Sequence, residues 1–563
     1  MAPDILEATA DTEENARVLT TPNGAIALPP SVSASIKTVR DWWATSQSIG
    51  LFEIAHRGAR RLIPTSRSSI IEALVALANY ADRQDRMWIV DLETGHISIG
   101  TVKNYSERGG IVSDNPLACE EAARPITIEE TTLNQTDLRA HHVTNLKLPT
   151  DELTAQAGSY LGRPVSANLS WPTGAAVSGG TPHFNGVGVR VLTWSAQHSS
   201  YRASQQAAFL EGIERRVGAT QSSGSYYFGP GKDLEAPITP DDFPSYPKEF
   251  YGIRGLKYDP NDPHEWVQVY DLRTGEPSWI AREYVYYGDR IKRHRWALST
   301  SSGCATGSSI TEAVLFGLLE LIERDAYIAS WYARWSVTPV DISQLPRYSN
   351  LLARAQLLGL TVEAGLLTSP FEIPVAIASV HADTISSLGT GCHPDPLKAL
   401  EAAINEAWTY IPDRISMAAH EPEKLRALAK NPQLVKDIDD HPLLYCPKFN
   451  PTYRNICGTG RKITLEEIYK RQDAQWSKEV THGPRRLLQK LLDRLGDEIR
   501  VYARIQTSPY ERSLGLETCM VVSPNLLPID FGWDCQRALQ SERLFLLADK
   551  FGTSIRTELH PFS

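Results

Sequence analysis

Apolar positions spaced three and four apart, broken by short alternating runs, divide most of the chain into helices and strands in succession. Residues 69–80 carry the helical spacing, and 87–91 followed by Thr94-Gly95 reads as a strand entering a turn. Residues 1–35, rich in Ala, Thr, Pro and acidic side chains, are expected to form a flexible tail, with a small α+β unit over 36–100. Residues 101–160 are polar and show no clear period. From residue 163 the alternation becomes regular. Strands are expected over 186–194, 266–271 and 375–380, and helices over 203–218, 310–331, 396–410 and 540–551. A Gly/Pro/Asp-rich loop is expected over 224–246, and a charged, largely helical stretch over 461–494. The pattern is α+β or mixed α/β, in three parts: a tail (1–35), an N-terminal α+β region (36–160) and a large domain (161–563).

Composition narrows the function classes. The 563 residues include 42% hydrophobic and 22% charged side chains, with a formal net charge of −9. A large core is affordable, and no basic run marks a nucleic-acid binder. The seven cysteines are scattered, without C-x-x-C or zinc-finger spacing, and are expected to be reduced structural thiols. The first 18 residues carry acids and no signal-type apolar core, and no apolar stretch approaches a membrane span. A cytoplasmic protein with no membrane partner is the expectation.

The informative feature is a repeated local sequence. Glu211-Gly-Ile-Glu214-Arg215 lies in one predicted helix, and Glu320-Leu-Ile-Glu323-Arg324 in a later one. Positions i and i+3 share a helix face. At about 100° per residue, Glu312 joins Glu320 and Glu323 within a sector of about 80°. Val314, Leu315, Leu318, Leu321 and Ile322 occupy the other side. Like charges on one stripe repel, so two such helices call for a cation between them. Mg²⁺ favours carboxylates together with phosphate oxygens and water. Solvated helix faces neutralised by Arg215 and Arg324 are the alternative.

A conventional nucleotide loop is absent: Gly229-Pro-Gly-Lys232-Asp233 lacks the first glycine and the Ser/Thr of a phosphate-binding loop, and reads as a turn. No nucleophile elbow or H-E-x-x-H occurs.

The segment Ser301-Ser-Gly-Cys-Ala305-Thr-Gly-Ser308-Ser-Ile-Thr-Glu312, continuing to Glu320–Asp325, resembles the YcaO family. The helix around Glu211 and Glu214 is similar to that family's earlier E-x-x-E-R helix, and Gly391-Cys-His-Pro-Asp395 leading to Glu406 is similar to its G-A-H-P-D helix. Leu527-Pro-Ile-Asp-Phe-Gly532 and the final Leu559-His-Pro-Phe-Ser563 resemble the azoline-forming branch. The resemblance spans roughly residues 160–563. It departs at Ala207, Ser302, Ser308 and Thr409, where the family carries other neutral residues, at Ser563, and in lacking the Gly-Lys-Gly before the first helix, near Gln197.

The resemblance implies an internally duplicated sheet-plus-helix fold around an ATP and Mg²⁺ site. It assigns Glu211, Glu214, Glu312, Glu320 and Glu323 to the metal. Glu211, Glu214, Arg215, Ala305, Ser308, Glu312, Arg324 and Glu406 are assigned to ATP. His560, Pro561, Phe562 and Ser563 are placed at the reacting centre. The implied activity is an ATP-dependent cyclodehydratase: a Cys, Ser or Thr side chain of a ribosomal precursor peptide attacks the preceding amide carbonyl. The oxygen is phosphorylated, and loss of phosphate leaves a thiazoline or oxazoline. Thioamide or macroamidine formation, or a non-catalytic scaffold role, are the alternatives. Implied partners are a separate ThiF-like leader-binding protein, a flavin-dependent dehydrogenase in a synthetase complex, and a second copy of the chain.

Overall fold

The computed structural model describes residues 17–562 except 22, 50, 53–67, 104–110, 121–122, 130–137, 170–173, 185–187, 199, 223, 289–294, 346–347, 451–452, 454, 472–475 and 477–482. The architecture is mixed α and β, with four sheets among the described residues. An N-terminal antiparallel sheet runs in the order β1 (Val18–Thr21), β2 (Gly24–Ala27), β3 (Arg86–Asp91), β4 (Ile97–Thr101). Two helices accompany it, α1 (Ile36–Thr45) and α2 (Ser68–Tyr80).

Residues 18–27 were expected inside a flexible tail and instead form two strands; residues 1–16 lie outside the described part. Burial on both faces explains the difference. Val18, Ala25, Ala27 and Val90 pack on Ile71 and Leu74 of α2. Leu19, Ile26, Met87 and Ile89 join Trp42 and Trp43 of α1 and, beyond them, Phe209, Ile213 and Val217. Strands of four residues buried on both sides show neither a period nor a polar face for a sequence reading to catch.

A seven-stranded sheet forms the middle of the molecule. Its strands are β5 (Ile111–Ser113), β9 (Ser225–Pro230), β10 (Pro263–Asp271), β11 (Pro277–Ala281), β12 (Cys304–Gly307), β17 (Tyr502–Ile505) and β18 (Glu517–Val522). The order is β12-β18-β17-β10-β9-β5, with β11 paired to β10. Strand β9 falls within the span expected to be a loop; its Tyr226 and Tyr227 are buried, and the aromatic pair outweighs the flanking glycines.

Two further sheets each end in a hairpin that feeds a helix. β6 (Ser166–Ala167), β7 (Ala175–Phe184) and β8 (Val189–His198) precede α3 (Tyr201–Ala219). β13 (Val337–Val340), β14 (Thr361–Leu367), β15 (Val375–Ala382) and β16 (Ile385–Cys392) precede α5 (Pro396–Thr409). Between them α4 (Ile310–Tyr332) follows β12 directly. The expected helical stretch 461–494 holds helices at Leu465–Arg471 and α6 (Pro484–Leu495), with residues 472–475 and 477–482 outside the described part. The last helix is α7 (Glu542–Phe551).

Capping residues start α3, α4 and α5 one or two residues after a strand or tight turn. Ser200 accepts from Ala203 N at 3.3 Å, Ser309 from Glu312 N at 3.2 Å and Asp395 from Leu397 N at 2.9 Å. Each helix is thereby set in phase with the strand before it. Helix α5 lies so close to β16 that a Cβ on Gly389 would meet Ala403 O and Ala407 N, and one on Gly391 would meet Ala399 O.

Replacing Gly389 by Ala is therefore expected to destabilise the protein by about 1–3 kcal/mol, because the opposing atoms are helix backbone and cannot step aside. Thermal unfolding of the G389A variant measures it.

Candidate active site

Helices α3, α4 and α5 bring their glutamates to one region, and a backbone N–H from a strand or the turn beside it reaches each carboxylate, that of Cys392 in the case of Glu323. Glu211 accepts from Ser195 N at 2.7 Å, Glu214 from Thr306 N at 3.0 Å, Glu320 from Gly303 N at 3.0 Å, Glu406 from Thr390 N at 2.7 Å and Glu312 from Ser308 N at 3.3 Å. Gly303 reaches Glu320 from a left-handed conformation, φ 90°, that suits only glycine. Glu323 accepts from the Thr390 hydroxyl at 2.5 Å. The strand-to-helix reach is the same for Ser195 with Glu211 and Thr390 with Glu406, so the hairpin-plus-helix unit recurs in its hydrogen bonding.

Two arginines hold the set together. Arg215 lies 3.3 Å from Glu211 and donates to Ser301 Oγ at 2.9 Å. Arg324 lies 3.3 Å from Glu323, 3.4 Å from Glu320 and 4.0 Å from Glu406. Two positive charges do not offset so many carboxylates. Burial pushes Glu214 up to about 8, with Glu320 and Glu211 adding repulsion against Arg215. Burial likewise pushes Glu406 up to about 7 and raises Glu323. Glu214 and Glu406 thus take up protons in a neutral solution, which marks a site short of positive charge.

Among the described residues, no three acidic, Cys or His side chains are close enough to enclose a cation unaided. The donor set still fits Mg²⁺, which binds through one or two carboxylates and completes its octahedron with phosphate oxygens and water. Glu211, Glu214, Glu320, Glu323 and Glu406 are mutually linked by charge. Glu312 stands to one side: buried, it pairs with Arg139 at 2.9 Å and accepts from Ser308 Oγ at 2.6 Å. It lines a cavity of about 350 Å³ between Ala207 and Leu210 of α3, Phe316 of α4 and Asn405 of α5. Ala305 lies in β12, where it pairs with Cys519.

The final residues reach the same place. Leu559, His560 and Phe562 are buried, and Arg324 lies over the Phe562 ring, 4.3 Å from its centroid. Pro561 is buried between them, and Ser563 lies outside the described residues. His560 anchors the segment: its Nε2 donates to Asp530 O at 2.9 Å, and its ring stacks on His441 at 4.4 Å. His441 Nδ1 donates to His560 O at 2.7 Å while Nε2 accepts from Gly532 N at 2.9 Å. Those two bonds require the neutral Nδ1-protonated ring. Burial holds His441 down to about 4 and His560 well below its ordinary value.

Arg139, Thr390 and His441 had no place in the sequence reading. Arg139 comes from the stretch without a period. Thr390 stands two positions before Cys392 in β16 and carries no motif of its own.

A family profile described as YcaO cyclodehydratase, ATP- and Mg²⁺-binding, matches residues 195–527. An uncharacterized protein in the tfuA 3′ region of Rhizobium leguminosarum bv. trifolii is 27% identical over 164 residues, which are 26% of this chain and 38% of that protein. The chain thus matches about two fifths of the length of that curated relative. A heterocyclase solved in complex with substrate and cofactor superposes with a TM-score of 0.70 at 17% identity, over 97% of this chain and 77% of its own. The heterocyclase TruD does so with a TM-score of 0.59 at 17% identity, over 95% and 72%. These two share the fold.

Two outcomes are expected from the site's electrostatics. For Glu214, a pKa raised from 4.5 to about 8 costs stability as pH climbs through that window. Glu214→Gln is expected to leave the melting temperature of the ligand-free protein at pH 8 unchanged or higher, and to shrink the stabilisation by Mg²⁺-ATP. For His441, a pKa lowered from 6.5 to about 4 gives stability that is full above 6.5 and lost as pH falls towards 4. Melting temperature should drop across that range, and His441→Asn should make the drop shallower.

Proposed function

The chain belongs to the YcaO family, and on that premise we propose that it is an ATP-dependent cyclodehydratase acting on backbone amides of a ribosomal precursor peptide, forming thiazolines or oxazolines from Cys, Ser or Thr. The observation that carries the proposal is the set of half-buried carboxylates from α3, α4 and α5 beside too few cations, with two of them pushed towards or beyond neutrality.

Glu211, Glu214, Glu320, Glu323 and Glu406 are the residues that would hold Mg²⁺. Glu312, Ser308 and Arg139 line the cavity that suits the nucleotide. Mg²⁺ and ATP, when bound, supply the γ-phosphoryl group that makes an amide oxygen a leaving group, and the positive charge that offsets the transfer. The chain's own residues position and neutralise. Backbone N–H groups of Ser195, Gly303, Thr306 and Thr390 fix the carboxylate directions before any ligand arrives, so little reorganisation is left for the reaction. Arg324 links three glutamates to the Phe562 ring, which shields that flank of the cluster from water. The segment 559–562 therefore acts as a positioning element.

The partners proposed are the precursor peptide, a separate leader-binding protein of the ThiF-like kind, and a flavin-dependent dehydrogenase in a synthetase complex; a homodimer is a further proposal. No helix among the described residues is long and apolar enough to cross a membrane; a cytoplasmic setting is part of the proposal.

The test is incubation with a Cys/Ser/Thr-rich precursor peptide, its leader-binding partner, ATP and Mg²⁺, followed by mass spectrometry. Loss of one water per modified residue, with ADP and phosphate released, is expected. Exchange of oxygen for sulfur would instead identify a thioamide enzyme, and intact peptide with no thermal stabilisation by Mg²⁺-ATP would identify a scaffold subunit. Glu320→Gln and Glu323→Gln are each expected to lower ATP turnover by at least 100-fold, on the order of a lost transition-state charge contact.

A further inference from the structure

A second pocket, of about 510 Å³, opens at the C-terminal end of α4, behind the tail and away from the carboxylates. Trp331 and Trp335 line it on one side and Asn455 and Thr459 on another, and Arg334 and Arg556 also line the space. The Arg556 guanidinium lies over the Trp331 ring, 4.0 Å from the centroid, and its Nε is buried without a hydrogen-bond acceptor. Among the described residues no carboxylate forms an ion pair with either arginine. The groups that act on Arg556 are Arg334, Tyr445 and Glu558; burial and Arg334 together hold it below its ordinary value.

Arg334 is also one of the few non-glycine residues with a left-handed backbone, φ 54°. It directly follows the last residue capping α4, where glycine would cost nothing. A strained arginine and a second, partly buried arginine lining one cavity, neither held in an ion pair among the described residues and with only Glu558 acting on Arg556 from a distance, are unfavourable unless something negative enters. Guanidinium forks bind planar oxyanions in pairs of hydrogen bonds. The two indoles beside them accept an aromatic or apolar body.

We propose that this pocket binds an oxyanion, a carboxylate or phosphate carried on an aromatic or apolar group, with Arg334 and Arg556 as its ligands. Occupancy reaches the active site through the tail. Arg556 N donates to Tyr332 O at 2.7 Å, and the chain runs from there to His560 and to Phe562 beneath Arg324. Tyr327 stands between the two sites, lining the pocket and lying 5.2 Å from the Phe562 ring.

The full chain, without ATP, Mg²⁺ or peptide, is titrated with benzoate and separately with inorganic phosphate, by calorimetry and thermal shift. Saturable binding of at least one probe is expected. Benzoate alone identifies an organic carboxylate as the natural class, and phosphate alone a phosphorylated one. Arg334→Ala, at an exposed position where folding is spared, should weaken that binding at least tenfold. Arg334→Lys should restore part of it, and Arg324→Ala should leave it intact, since that arginine serves the carboxylate cluster. Absence of saturable binding by both probes, or equal affinity in wild type and Arg334→Ala, overturns the proposal. Because no turnover is measured, that failure leaves the azoline-forming reading untouched, and failure of cyclodehydration leaves the pocket standing.

Discussion

Everything in this protein is arranged around carboxylates taken out of water faster than they are given counter-charges. Arg215 and Arg324 offset part of the repulsion, and strand N–H groups offset more, yet Glu214 and Glu406 still favour a proton near neutrality. A buried negative surplus of this kind is costly unless it is resolved by protons or by a cation. The fold tolerates it because each glutamate sits on a helix whose other face is deeply packed: Ala313, Val314, Leu318 and Ile322 on α4, Phe209 and Ile213 on α3, Ala403 and Ala407 on α5.

Rigid backing explains the parts that do no chemistry. The N-terminal sheet lays one face on α2 and turns the other towards α3, so a region that reads as an accessory extension supports the helix carrying Glu211 and Glu214. On the opposite side, Asp325 at the centre of α4 is fully buried and receives Arg543 through two hydrogen bonds of 2.8 Å and Leu527 N at 2.9 Å. That contact ties α7 and the loop before it to α4 next to Arg324. The buried His441–His560 stack then sets the tail that ends on Arg324. The glutamate cluster is thus backed by the N-terminal sheet on one side and by α7 and the segment 559–562 on the other.

Helices α3, α4 and α5 were legible in the sequence because each combines a capping residue with an apolar face at helical spacing, and both come from neighbours a few positions apart. The E-x-x-E-R repeat was legible for the same reason, as was the identity of the glutamates. The strands at 18–27 and 225–230 were not, since each is too short for a period and is stabilised by partners far along the chain. Arg139 pairing with Glu312, and Thr390 bonding both Glu323 and Glu406, are contacts of long sequence separation that leave no local mark.

Helices such as Ser349–Leu357, Ile411–His420 and Pro422–Lys430 went unread, whereas the amino-acid sequence by itself determined the three helices that carry the glutamates and which face of each is acidic. Those are consequences of side-chain order within a few turns. Tertiary structure alone decided which glutamates share an arginine, that Glu312 faces a cavity apart from the others, and that the last residues close over the site. Each of those depends on how far burial shifts a charge and on which backbone N–H lies opposite it, and such quantities arise only when distant segments pack.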